Sequence, residues 1–444
     1  MAWPDLFDLR ARKSTLPREI RGGVATFLTM AYILVANPSI LIAAGIPKES
    51  AIATTALAAG VCSILMGLLA NFPIALAAGM GLNAVIAFQV MPLAGTWQRG
   101  MGLVVLDGLL VLLLVLFGLR ESVMRAIPRD LRLSIGAGIG LFIAFIGLTH
   151  ARLVVSDSAT LVGPGHLRDP ITATSVIGLV LTSILLARKV RGALIIGIIS
   201  TTLVGLFFHV TQLPTTLFSR PDFQIAFQAD VAGALANLFR HDPVTGHIYP
   251  YLLPILLSVV MVDFFDTLGT ITAVAEEGNI LDEKTGQIPH LRRILIVDSI
   301  SASIGGMLGC SSNTSYIESA AGVAEGARTG IHSIVVGLLF LASLFLAPLV
   351  SAVPDAATAP ALILVGFLMT SQLARINFDQ LDTAIPSFII LLTIPLTFSI
   401  AHGIGYGFIT FSLIKLLSFR PREAHPLMYA TAAAFAAYFL WGVA

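Results

Sequence analysis

Two stretches decide the fold: Asn71-Phe72-Pro73-Ile74-Ala75-Leu76-Ala77-Ala78-Gly79-Met80-Gly81-Leu82-Asn83 and Gly309-Cys310-Ser311-Ser312-Asn313-Thr314-Ser315-Tyr316-Ile317-Glu318-Ser319-Ala320-Ala321-Gly322. Each reads as a short extended piece leading into a half-helix. The 444 residues around them are 56% apolar and 11% charged, whereas an ordinary soluble domain is about 25% charged. The solvent of this chain is therefore a lipid bilayer. Runs long enough for a ~30 Å hydrocarbon core lie near 22–44, 51–71, 100–118, 131–148, 171–187, 192–209, 251–274, 292–308, 329–352, 357–374, 384–400 and 403–418. The two interrupted stretches, near 74–92 and 311–326, bring the number to fourteen. They are the third and the tenth, so they are equivalent under a division into seven and seven. Secondary transporters place interrupted helices at matching positions of two inverted halves, with the exposed half-helix ends lining a midplane site. The expected fold is an all-α polytopic membrane protein with 14 transmembrane segments in a 7+7 inverted repeat. Segments 1–7 span 22–209 and segments 8–14 span 251–418.

Charge supports this count. With residues 1–21 cytoplasmic, 20 of the 26 Lys and Arg fall on the cytoplasmic side, as the positive-inside rule expects. The loop at 210–250 is then external and reads as a mostly irregular cover. In the tail, 419–444, the apolar run Pro426 to Val443 is either a further crossing or a helix lying against the bundle. Lys+Arg 26 against Asp+Glu 25 excludes a nucleic-acid binder, and two cysteines exclude a disulfide scaffold. Cys62 and Cys310 read as small buried thiols. The histidines show no metal spacing, and no HExxH, GxSxG or Walker pattern occurs, so neither catalysis nor a cofactor has support.

Polar groups inside apolar runs are costly and mark function by default. Val262-Asp263-Phe264-Phe265-Asp266-Thr267-Leu268-Gly269-Thr270 puts two carboxylates three apart on one helical face, where both cannot ionise cheaply. Glu318 beside Tyr316, and Asn83 in the equivalent place of segment three, sit near half-helix starts, where free N–H groups suit an acceptor. Asp107 and Asp298 accompany no helix break and read as packing or network groups. Asn37-Pro38 reads as a kink.

The motifs at Glu19 to Leu41 (EIRGGVATFLTMAYILVANPSIL), Ala78 to Phe88 (AGMGLNAVIAF), Val262 to Thr270 and Asn313 to Gly330 (NTSYIESAAGVAEGARTG) resemble the AzgA-like purine permeases, a branch of the nucleobase:cation symporter-2 family. The resemblance runs along essentially the whole chain. It implies a core domain (segments 1–4 and 8–11), a gate domain (segments 5–7 and 12–14), and proton-linked uptake of hypoxanthine, guanine or adenine across the plasma membrane by an elevator-like movement. The implied substrate site comprises Asn83, Asp263, Phe265, Thr267, Tyr316 and Glu318, with Asp263, Asp266 and Glu318 coupling the proton and Asp266 tuning affinity. One departure is Ser311-Ser312-Asn313-Thr314 in place of a threonine-rich run, which makes Asn313 a candidate for setting purine preference.

The chemistry agrees with this reading. A purine is flat and neutral, with N–H donors alternating with acceptors along its edge. Asp263 and Glu318 can accept, the Asn83 amide can do both, and Tyr316 or Phe265 can cover a ring face. The alternatives are a uracil or xanthine permease and a sulfate-type anion carrier on the same fold. The acids and the short tail speak against the anion carrier. An intramembrane aspartyl protease fits less well, because Asp263 and Asp266 share one helix without the expected glycine motif. Homodimerisation and the preferred purine are left open by the sequence.

Overall fold

The structure, a computed structural model, describes residues 7–118, 127–214, 216–241, 248–278, 280 and 288–441. In a bilayer every backbone polar group needs an internal partner, which forces apolar runs into helices. The helices are α1 (Leu16–Ala44), α2 (Lys48–Ala70), α3 (Met80–Ala94), α4 (Trp97–Leu116), α5 (Arg129–His150), α6 (Pro170–Ala187), α7 (Ala193–Phe207), α8 (Leu253–Glu277), α9 (Leu291–Leu308), α10 (Ser319–Ala324), α11 (Gly330–Ser351), α12 (Asp355–Arg375), α13 (Leu381–Thr397), α14 (Ile400–Leu417) and α15 (Pro426–Trp441). Among the described residues, nine of these are long and apolar enough to cross a membrane, while α3, α7, α13 and α15 are shorter apolar helices. The 18-residue α9 carries Arg292, Arg293 and Asp298, and α10 is six residues long.

Three short antiparallel pairs interrupt the helices: β1 (Leu76–Ala78) with β6 (Asn313–Ser315), β2 (Val154–Asp157) with β3 (Leu161–Pro164), and β4 (Phe239–His241) with β5 (Ile248–Pro250). The breaks before β1 and β6 have local causes. Asn71 ends α2 in the left-handed region at φ 47°, and Pro73 cannot donate to a helix ladder. Gly309 ends α9 at φ 80°, and Ser311 follows at φ 76°.

Helix packing falls into two sets. In one, α1, α2 and α11 pack together, α10 packs on α1, and α4 packs on α9; in the other, α5, α6, α7, α12, α13 and α14 pack on one another, and contacts between the sets are sparser. Within the first set, α2 and α11 meet along a glycine seam. A Cβ at Gly67 would lie 2.4 Å from the Gly330 carbonyl oxygen, and one at Gly337 would lie 2.5 Å from that of Gly60. Without a hydrophobic drive between helices in lipid, such close backbone approach supplies the attraction. Glu19, fully buried, fixes the start of α11. Its Oε1 accepts from the Ser14 hydroxyl at 2.5 Å and the Arg328 N–H at 2.8 Å, and its Oε2 accepts from the Thr329 N–H at 3.3 Å. A carboxylate there also meets the positive end of the helix dipole.

Among its described residues the 210–250 region holds a helical turn, Val231–Ala236, and the β4–β5 pair within otherwise irregular chain, and Asp222 accepts the Ser50 hydroxyl at the head of α2. The β2–β3 hairpin was not anticipated. Its turn forms because Asp157 Oδ1 accepts from the Ala159 and Thr160 N–H groups at 2.8 and 2.9 Å, an Asx-type turn. In the tail, α15 runs antiparallel along α14. The Phe435 ring packs on Phe408 at 6.2 Å, and Phe439 stacks on His402 at 5.1 Å.

At the glycine seam, Gly67→Ala forces its methyl into the Gly330 carbonyl and should destabilise the protein by about 1–3 kcal/mol. The readout is the melting temperature of detergent-solubilised protein, and an unchanged value would contradict the seam.

A candidate substrate site at the crossing of two interrupted segments

The crossing pairs Leu76 with Ser315, Ala77 with Thr314 and Ala78 with Asn313. Hydrogen bonds beyond the pair extend it: the Tyr316 N–H donates to the Ala75 carbonyl at 3.0 Å, and the Gly79 N–H donates to that of Ser312 at 2.8 Å. Two strands leave open edges, and side chains close them. Ser63 on α2 accepts from the Leu76 N–H at 3.0 Å and donates to the Leu76 carbonyl at 3.1 Å, while Ser319 accepts from the Ala75 N–H at 2.9 Å. The Tyr316 hydroxyl donates to the Ala78 carbonyl at 2.5 Å. Helices α3 and α10 both start at this crossing.

Side chains of α8 and α9 are tied to it. Asp298 accepts from the hydroxyls of Thr267 on α8 and Ser315 on β6, both at 2.7 Å. The Thr267 hydroxyl also meets that of Thr314 at 2.9 Å. Thr267 is thus a positioning residue, 2% exposed. One turn earlier on α8, Asp263 is fully buried with neither carboxylate oxygen in a hydrogen bond, and it neighbours Thr314, Asp107, Asp298 and Asp266. Asn83 is equally buried, and both atoms of its amide lack partners. Buried polar atoms are almost always paired, and the Asn83 amide and the Asp263 carboxyl are among the described buried groups that are not.

Asp266 differs from Asp263 in being exposed. Together with Gly79, Gly81, Leu82 and Val262 it lines a small cleft whose far wall is Arg132, Ile135, Gly136 and Ile139 of α5 and Met369 and Gln372 of α12. The cleft therefore lies between the start of α3 and α8 on one side and α5 and α12 on the other. Glu318 is half-buried at the N-cap of α10, where its side chain caps no N–H; it accepts instead from the Tyr32 hydroxyl of α1 at 2.9 Å. Tyr32, Tyr316, Asp266 and Glu318 share one electrostatic neighbourhood. The Phe265 side chain lies outside the described residues.

Thr267, Thr314 and Tyr316 meet at the crossing with Asp263 as a neighbour of Thr314, while Asn83 lies in the first turn of α3, Asp266 lines the cleft and Glu318 lies on Tyr32. Successive strand residues point to opposite faces, and Thr314 takes the face toward Thr267. The Asn313 amide turns to the other face and donates to the Cys62 sulfur on α2 at 3.3 Å. Asp298 does belong to a network, whereas Asp107 has no hydrogen-bond partner on either oxygen. Sequence reasoning missed Tyr32, Ser63, Thr314, Arg132 and Gln372. Of these only Tyr32 left a signal, a phenol inside the apolar run before Asn37-Pro38. Among the described residues, no group of three or more His, Cys, Asp or Glu is spaced to hold a metal ion.

Tyr316→Phe leaves the Ala78 carbonyl unpaired in the bilayer and should cost about 1–3 kcal/mol of stability, read as a lowered melting temperature of ligand-free protein. A melting temperature equal to that of the parent would show that the phenol does not hold the crossing.

Comparison with known proteins follows this geometry. A model of the family described as Xan_ur_permease, Permease family, matches residues 17–405. A guanine/hypoxanthine permease of Bacillus subtilis, PbuG, is 39% identical, the match covering 95% of this chain and 96% of that protein. An adenine permease of Escherichia coli, AdeQ, is 39% identical over 97% of this chain and 94% of its own length. Among solved structures, the transmembrane domain of the cyanobacterial bicarbonate transporter BicA superposes with a TM-score of 0.64 at 14% identity, covering 88% of this chain and 97% of that one; at this identity the likeness concerns the fold alone. The relatives are transporters and not enzymes, and the many apolar helices make this a multi-pass protein of the plasma membrane. With a family match over most of its length and near full-length relatives at this identity, the chain belongs to the Permease family, within the nucleobase:cation symporter-2 group that its motifs resemble.

Proposed function

We propose that this protein imports purine nucleobases (adenine, guanine and hypoxanthine) by proton symport. Nucleobase transport itself rests on the family and on relatives named as guanine/hypoxanthine and adenine permeases. The observation that carries the finer reading is the pair of unpartnered, fully buried groups at the crossing, the Asn83 amide and the Asp263 carboxyl. A purine edge offers N–H donors for Asp263 and Glu318 and an acceptor-donor pair for Asn83. A site that pairs every polar edge discriminates strongly, because an analogue lacking one group leaves a buried partner unpaired. The acids serve poorly for an anion, which keeps sulfate-type transport on this fold the weaker reading.

In this proposal the chain crosses the membrane fourteen times as inverted halves, supported by the antiparallel pairing of the third and tenth segments. The core domain comprises segments 1–4 and 8–11, and the gate comprises 5–7 and 12–14, in keeping with the two packing sets. The core carries base and proton past the gate, and Asp266 and Glu318 pass the proton to the aqueous cleft. Ligand contacts are assigned to Asn83, Asp263, Phe265, Tyr316 and Glu318, with Thr267 holding the crossing.

Uptake of radiolabelled adenine, guanine, hypoxanthine, uracil and sulfate into proteoliposomes tests this reading. Purine uptake should rise with an inward proton gradient and be lost in Asp263→Asn and in Glu318→Gln. Uptake of sulfate without purines, or purine uptake untouched by both substitutions, would overturn it.

A further inference from the structure

The cleft and a second crevice sit at opposite ends of the same two helices. The cleft takes Arg132 and Ile139 from α5 and Met369 and Gln372 from α12, whereas the crevice takes His150 from the last turn of α5 and Asp355 from the first turn of α12. An α-helix rises about 1.5 Å per residue, so roughly 16 Å of α5 lie between Ile139 and His150. A solute passing from one opening to the other runs along that stretch. The stretch begins where α3 closes on α5, since a Cβ on Gly81 would lie 2.6 Å from Ile139 Cγ2.

Phenylalanines stand on it. Phe142 continues the cleft-lining stripe of α5, three residues past Ile139, and Phe145 follows a turn later. Phe88 reaches them from α3, and Phe398 from the turn between α13 and α14. Phe398 is the hub: its ring centroid lies 6.1 Å from that of Phe88, 5.6 Å from Phe142 and 5.2 Å from Phe145, and Phe88 meets Phe142 at 6.2 Å. Three of these contacts are edge-to-face, a geometry that the ring quadrupoles favour. Phe398 ends α13 in the left-handed region at φ 51°. Beside the rings one polar contact joins the same elements, the Ala401 N–H in the first turn of α14 donating to Gln89 Oε1 of α3 at 3.2 Å. Phe142 is fully buried, while Phe88, Phe145 and Phe398 are half-buried and keep open surface. The cluster joins α3 to α5, α13 and α14, so it spans the boundary between core and gate. Apolar rings suit a contact that breaks and reforms there, and an apolar constriction holds back water and polar solutes.

We propose that Phe88, Phe142, Phe145 and Phe398 form the outer seal of the substrate path, with the Gln89–Ala401 hydrogen bond as its latch; this rests on the core and gate division of the proposed function. In the topology of that reading the seal stands on the external side of the cleft, between it and the crevice. When the core moves, Phe88 and Gln89 leave with α3, while Phe142, Phe145 and Phe398 stay with the gate, and the path opens to the crevice. The rings left on the gate then offer apolar faces that suit a planar base better than an inorganic anion.

The test joins the two sides of the seal. Protein carrying Phe88→Cys and Phe398→Cys is treated in proteoliposomes with a short, reducible bifunctional thiol reagent, beside parent protein whose Cys62 and Cys310 are both 0% exposed. Cross-linking should abolish uptake of labelled purines in the double variant alone, and reduction should restore it. Uptake that survives complete cross-linking, or two cysteines that do not cross-link, overturns the seal. Phe398→Ala is the second reading: it should lose accumulation of labelled hypoxanthine while downhill entry persists, because the site is then open to both sides. Accumulation equal to that of the parent, or loss of downhill entry in monodisperse protein, overturns the proposal. Should Phe398→Ala not give monodisperse protein, the cross-link decides alone. A parent that takes up no purine overturns the proposed function and the seal with it, whereas parent-like uptake through the cross-link overturns the seal alone.

Discussion

Extended backbone in the middle of a bilayer must find partners, and that constraint organises the molecule. Each unsatisfied N–H or C=O in hydrocarbon costs several kcal/mol. The chain has two such stretches, and neither is tolerable without the other. Three residue pairs from β1 and β6 answer part of the demand, and Ser63, Ser319 and Tyr316 answer much of the rest. The arrangement places two helix starts, α3 and α10, beside the paired strands. It also dictates where α8 and α9 stand, because Thr267 and Ser315 both reach Asp298.

Against that saturated background the unsaturated groups acquire meaning. Glu19 and Glu318 are both acids near a helix start, Glu19 in the first turn of α1 and Glu318 at the N-cap of α10. Glu19 is surrounded by three donors and holds α11 in place, whereas Glu318 takes a single phenol from another helix and stays half-buried. The same contrast separates Asp298 from Asp263. Glu19 and Asp298 have hydrogen-bonding capacity filled by the chain, and the acids of the proposed site are those left with capacity to spare.

Much of this was legible in the sequence. Hydropathy and basic-residue asymmetry located the helices, and the third and tenth segments declared themselves through Pro73, Gly79, Gly81 and the polar run from Ser311 to Ser315. Register was not legible: which of Asn313 and Thr314 faces α8 depends on a one-residue phase that composition leaves open. Tyr32 and Ser63 resemble ordinary core residues until the strands they serve are in place. Asp107 and Asp298 looked alike as single acids in apolar runs, and only the packing of α4 on α9 separates the one with donors from the one without. The β2–β3 hairpin escaped because its turn is made by one aspartate, Asp157, in a loop otherwise free of pattern.

The central claim is that a nucleobase occupies the crossing. A cryo-EM structure of the protein with bound guanine addresses it directly. Base density within hydrogen-bond distance of the Asp263 carboxyl and the Asn83 amide, with Glu318 on the same ring edge, is the expected result. Density seated elsewhere, for instance in the crevice lined by Lys48, His150, Arg152 and Asp355, with Asp263 and Asn83 still unpartnered, would contradict it.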